Sequence, residues 1–146
     1  MKSSQRIKRV QLSVNGHEGI TLFGLVCPDP HYKLSLKINK KLQLSLKSAS
    51  PLEIQNAAGK DLVFSRFSDT TSVPDCVMHL FSNRSGAEFL FKKLKNIDYL
   101  FEIYDPENIY YSIEIISKLR EIDTVTAVFT IELKTIKDKN QKYLFA

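Results

Sequence analysis

Apolar and polar positions alternate along the chain from Ile97 to Tyr104. Ile97, Tyr99, Phe101 and Ile103 fall on one face, and Asp98 and Glu102 on the other. A period of two carried by aromatic and β-branched residues predicts a half-buried strand. Asp105-Pro106 then changes the period. An Asp oxygen can accept from the free N–H groups of a first helical turn, and a Pro after it already has a helical φ. From Glu107 the repeat is that of an amphipathic helix. Glu107, Tyr111, Glu114, Lys118 and Glu121 make a polar stripe, opposite Ile109, Ile113, Ile116 and Leu119. Ile122-Asp123 closes the helix, and alternation returns over Thr124 to Ile131 with Val125, Ala127, Phe129 and Ile131 on one face. Two strands joined by a helix are expected to run parallel.

The earlier part of the chain repeats this theme. Ile7 to Val14 alternates and ends at Asn15-Gly16, a turn pair. Ile20 to Val26 is almost continuously apolar, as in a buried central strand. Pro28-Asp29-Pro30 follows. The even-numbered Tyr32, Leu34, Leu36 and Ile38 also fit a strand, but the Asp-Pro start and the absence of Gly favour a helix over 30–42. That helix places Lys33, Lys37, Lys40 and Lys41 on one exposed face, with a strand over 43–47 and a loop over 48–60. Leu62–Phe67 and Cys76–Phe81 suit an antiparallel pair, and Asn83 to Gly86 a turn. A Lys-rich tail ends in Tyr143-Leu144-Phe145, which is expected to pack back on the sheet as an edge strand.

Strand, Asp-Pro, helix, strand thus occurs twice. The predicted fold is a single α+β domain over 1–146, two-layered, with an antiparallel or mixed sheet and two main helices on one face, in the manner of split β-α-β folds. Its length suffices to bury a core. No apolar run approaches the roughly 20 residues that cross a bilayer, so no membrane association is expected. The basic N-terminus lacks the apolar run of a secretory signal. Two cysteines, Cys27 and Cys76, are too few for a disulfide scaffold, which points to a reducing cytoplasm.

Charge refines the picture only for the first third. Residues 1–50 carry nine Lys/Arg against two Asp/Glu, residues 51–100 six of each, and residues 101–146 six against eight. Attraction to an anionic partner would therefore arise from the first third, where Lys2, Arg6, Lys8 and Arg9 join the four lysines of the first helix. An RNP-type run of aromatic and basic residues is absent. Catalytic signatures are absent too: there is no Gly-rich phosphate loop, no G-x-S-x-G and no H-E-x-x-H. Glu102, Glu107 and Glu114 fall on predicted exposed faces, with nothing to raise their pKa. Cys27, His31, Cys76 and His79 carry zinc-binding atoms, yet without a C-x-x-C, and Cys76 and His79 are three apart on a strand, on opposite faces. His17 belongs to a turn. No catalytic residue, metal ligand or cofactor is expected.

The stretch Phe91-Lys92-Lys93-Leu94-Lys95-Asn96-Ile97-Asp98-Tyr99 resembles the small bacterial family named for an IPExxxVDY motif. Ile97, Asp98 and Tyr99 match its Val-Asp-Tyr end, whereas Phe91, Lys92 and Lys93 replace Ile-Pro-Glu. The segments His31 to Leu34, Asn39 to Leu42, Leu119 to Ala127 and Lys137 to Phe145 are similar as well. The resemblance implies a cytoplasmic bacterial domain of unknown function and supplies no catalytic residue. It singles out Asp98 and Tyr99 as possible binding residues, against the simpler reading that Tyr99 packs inward and Asp98 starts the strand or caps a turn. The functional expectation is a non-enzymatic interaction or regulatory domain with a protein partner or as a homodimer through an edge strand. The alternatives are an RNA-binding accessory protein using Lys33, Lys37, Lys40 and Lys41, and a small-ligand sensor.

Overall fold

In the computed structural model, residues 19–106, 112–136 and 139–145 are described. The expected strand over Ile7 to Val14, the Asn15-Gly16 turn, His17, the four N-terminal cations and the stripe positions Glu107, Ile109 and Tyr111 lie outside them, as does the side chain of Ile113. β1 (Ile20–Val26) leads through α1 (His31–Leu42) to β2 (Lys47–Gln55), β3 (Asp61–Asp69) and β4 (Val77–Ser82). A small hairpin of β5 (Arg84–Ser85) and β6 (Glu88–Phe89) follows, then β7 (Tyr99–Tyr104), α2 (Ser112–Arg120) and β8 (Ala127–Ile131). The tail forms short 3-10 turns at Leu133–Thr135 and Lys139–Phe145.

The main sheet has the order β2-β3-β4-β7-β1-β8, and every neighbouring pair is antiparallel. β7 and β8 therefore run in the same direction with β1 between them, and α2 joins them: this is a split β-α-β. β1 and β2, joined by α1, also run in the same direction, with β7, β4 and β3 between them. The doubled strand-helix-strand pattern is thus real in topology, and the fold is α+β. Among the described residues no helix is long and apolar enough to cross a membrane.

Both helices lie on one face. Leu34, Ile38 and Leu42 of α1 and Ile115 and Leu119 of α2 join Phe23, Leu25, Leu80, Phe101 and Ile103 in one buried cluster. On α2 the stripe is offset from the expected one. Ile115 is buried and Ile116 only partly, because Ile115, Leu119 and Ile122 follow the four-then-three spacing of one helix face. The opposite face is covered as well. Leu22, Phe64, Phe81 and Leu100 meet Leu90, Phe91, Leu133 and Leu144 there. The tail does pack on the sheet, but as a 3-10 turn and not as an edge strand.

Four further expectations change. The stretch 43–46 is a turn rather than a strand, with Gln43 ending α1 at φ 57° and Asn39 bracing it by donating to the Leu46 carbonyl at 3.1 Å and accepting the Leu46 N–H at 2.7 Å. The loop expected over 48–60 is mostly β2. Its Ser and Pro residues mimic a loop, but β2 is an edge strand whose register shifts between Ala49 and Leu52, and edges and bulges tolerate Pro51. The alternation expected over Thr124 to Ile131 also breaks. Val125 and Val128 enter the helix-side core, three apart, while Phe129 is 50% exposed. Ile97 leaves the face it was expected to share with Tyr99, because it lies in the turn before β7 and packs into the far core. Gly24 makes the space for it: a Cβ there would stand 2.9 Å from Ile97 Cδ1 and 2.8 Å from Ile131 Cδ1.

Phe101→Ala removes a fully buried ring from the helix-side core and is expected to cost about 3–5 kcal/mol. Phe129→Ala on the exposed edge is expected to change stability by no more than about 0.5 kcal/mol. Urea denaturation of both variants checks the contrast.

Candidate functional site

Asp98 and Tyr99 tie the end of β7 to the segment that leaves β1. The Asp98 carboxylate accepts the Cys27 N–H at 2.9 Å and Arg84 Nε–H at 2.7 Å. Its own N–H donates to the Leu25 carbonyl at 2.9 Å, and its carbonyl accepts from Asn83 at 2.9 Å. Tyr99 is buried, and its hydroxyl donates to the Asp29 carbonyl at 2.5 Å. Burial, joined by the nearby Cys27, Asp98 and Asp29, pushes that phenol up to about 12, so it stays a donor. These two residues brace the loop from which α1 starts.

The position of Asp29 before Pro30 marks a helix start, yet its side chain does not cap α1; the Pro30 carbonyl takes the first helical N–H groups. The Asp29 carboxylate instead accepts from Lys37 Nζ at 2.8 Å and from the Thr124 hydroxyl at 2.6 Å. The hydrogen bond to Lys37, then that from Thr124, holds the Asp29 carboxyl below its usual range, and the same contact raises Lys37.

The expected lysine face of α1 is consequently divided. Lys37 is paired with Asp29 and, at 3.5 Å, with Asp123. Lys41 reaches Glu121 at 3.3 Å. Lys33 and Lys40 are exposed and have no ion pair among the described residues. Beside them stand two side chains that the charge count did not single out. Tyr32 is 59% exposed and Leu36 65%, one turn apart on a helix whose sequence holds no acidic residue.

Glu102 corrects the sequence reading outright. It is 2% exposed rather than on a solvated face, since the face it shares is covered by the far core. Burial pushes its carboxyl up to about 8, with the charge of Arg66 working against the shift, and its Oε2 has no hydrogen-bond partner among the described residues. In register beside it lie His79 and then Ser68, and the Ser68 hydroxyl sits 2.6 Å from His79 Nδ1. The direction of that shift favours the neutral carboxylic acid, which polarises a His less than a carboxylate would. The sequence carried one usable signal for it: Glu102 interrupts an otherwise apolar strand, a place where a charge is costly.

The cysteines are buried thiols. Cys76 donates to Asp105 at 3.3 Å, and burial, then that carboxylate, pushes it up to about 11; Cys27 is raised by burial. Cys76 joins the helix-side core while His79 lies against Phe81 of the far core, so strand alternation does separate them. Among the described residues no three His, Cys, Asp or Glu side chains are grouped to hold a metal ion. No family model, curated protein or solved structure matches the chain.

Two predictions follow from these contacts. Asp98→Ala strands the buried Cys27 N–H and is expected to cost about 1–3 kcal/mol by thermal or urea unfolding. For Glu102 the folded chain keeps a proton between its ordinary value of 4.5 and about 8 that the unfolded chain has released. Stability must therefore fall as pH rises across that window, by roughly 3–5 kcal/mol at most. Glu102→Gln is expected to flatten the dependence; parallel losses in both proteins at pH 5, 7 and 9 would refute the assignment.

Proposed function

We propose that this chain is a non-enzymatic, cytoplasmic interaction module that offers the outer face of α1 to an acidic protein partner. The observation that carries the reading is the exposure of Tyr32 and Leu36, 59% and 65%, on a helix with Lys33 and Lys40 beside them and no acid. An apolar pair spaced four apart, flanked by cations, suits an amphipathic acidic segment: the aromatic and Leu anchor it, and the lysines steer it. The commitment of Lys37 and Lys41 to carboxylates lowers the charge available to track a nucleic-acid backbone.

A specific observation favours self-association as a second reading. β2 guards its edge with Pro51 and a bulge, whereas β8 has neither, leaves Phe129 half exposed and has no strand on its outer side among the described residues. Sedimentation of the protein and of Thr130→Pro compares the two: a dimer lost in the variant supports edge pairing.

The main test is capture from the native host with tagged wild type and Leu36→Asp, alongside a gel shift with single-stranded and structured RNA at two salt concentrations. Acidic partners retained by the wild type and lost from Leu36→Asp support the proposal. An RNA shift that weakens steeply with salt, is abolished by Lys33→Glu with Lys40→Glu and survives Leu36→Asp would replace it.

A further inference from the structure

The helix layer stops short of the β2 edge of the sheet. On the helix side, β8, β1, β7 and β4 supply Val128, Phe23, Phe101 and Leu80 to the buried cluster. Among the described residues β3 adds only the partly buried Phe67, and β2 adds nothing. Along β3 the contrast runs residue by residue: Leu62 and Phe64 are buried in the far core, and Val63 between them is 50% exposed on the helix side. Only the end of β3 is covered there, where Asp69 accepts the Ser45 N–H from the turn after α1. Two strands span roughly 10 Å, the width of one helix. An open groove of about 400 Å³ follows this uncovered strip beside α1, and Ser48, Pro51, Val63, Ser65, Phe67 and His31 are among its lining.

The strip is continuous with the exposed flank of α1. Tyr32 precedes Lys41 by nine residues, two and a half helical turns, so it faces away from the contact of Lys41 with Glu121. Its ring centre is 5.9 Å from that of His31, which in turn is 5.4 Å from that of Phe67. Tyr32, His31, Phe67 and Val63 thus carry one aromatic and apolar surface from helix onto sheet. Charge is one-sided where the two meet. α1 holds no acid, and no Asp or Glu lines the groove among the described residues. Lys33 and the positive end of the α1 dipole lie at its head. The acids of this sheet face, Glu53 and Asp61, stand toward the β2–β3 turn. Strand addition does not suit the strip, because Pro51 and the register shift guard the β2 edge.

We infer that an amphipathic helix of an acidic partner lies in this strip beside α1 as a third member of the helix layer, with its apolar side on Phe67 and Val63 and its carboxylates toward Lys33 and the start of α1. The inference rests on the outer-face reading of α1 and adds where the partner's segment lies.

The test is an amide NMR titration of the full chain with a helix-forming peptide of about 14 residues, bearing Leu at i, i+3, i+4 and i+7 and Glu on its polar face. Its Lys-for-Glu counterpart and a scrambled peptide of the same composition are titrated in parallel. Saturable shifts at Tyr32, Ser48, Val63 and Phe67 with the Glu peptide, and at least about fivefold weaker binding of the other two, support the inference. Val63 is exposed, so Val63→Glu is expected to leave the fold intact and to weaken binding about tenfold. Ser48→Glu, also at an exposed position, repeats the test from β2. Shifts confined to Leu36 and Lys40, and unmoved by Val63→Glu, would overturn the inference and leave the outer-face reading standing. The lack of any saturable shift would remove both. Equal binding of the scrambled or the Lys peptide would also overturn it, as would concentration-dependent shifts at the same amides without peptide, which assign the strip to a second copy of the chain.

Discussion

Phe23 of β1 and Phe101 of β7 face each other across an antiparallel pair, and neither touches solvent. Around this pair the sheet is buried on both faces, by helices on one and by irregular turns and the tail on the other. That constraint governs the rest. In a half-buried sheet β7 would discard its polar residues into water. In a sheet covered on both faces each residue must be apolar, paired or neutralised. Tyr99 hands its hydroxyl to a loop carbonyl, and Asp98, one residue before the strand, takes an N–H and a guanidinium. Glu102 has its carboxyl shifted toward the neutral form.

The same constraint explains which parts of the fold were legible in the sequence. The strand at Ile20–Val26 and the pairing of Leu62–Phe67 with Cys76–Phe81 follow from short apolar runs, and the helix at His31–Leu42 from its Asp-Pro start and lack of Gly; all of these are local signals. The far core was not legible, because it is assembled from turns and a tail whose Leu90, Phe91, Leu133 and Leu144 carry no regular period. Without that cover, alternation alone puts Glu102 in solvent and Ile97 on the face of Tyr99. β2 was hidden for a different reason. Ser48, Ser50 and Pro51 are loop-like by composition, and only the edge position and the bulge make a strand of them.

Candidate binding surfaces appear where burial leaves something over. The four lysines of α1 looked equivalent by charge, but geometry spends Lys37 and Lys41 on carboxylates and leaves Lys33 and Lys40 beside an exposed Tyr and Leu. The motif-like Asp98 and Tyr99, by contrast, are absorbed into holding the base of that helix. Residues that resemble a signature can thus be the support of a surface rather than the surface itself. The disruption in β2 has a structural use of its own: it guards an edge against pairing.

The central claim is that β1 and β7 form a spine enclosed on both sides. Native-state hydrogen exchange tests it most directly. Amides of Phe23, Leu25, Phe101 and Ile103 are expected to exchange only through global unfolding, with β2 and β8 opening earlier and with less free energy. Amides of β7 that exchange by local opening, at energies no higher than those of the edge strands, would contradict it.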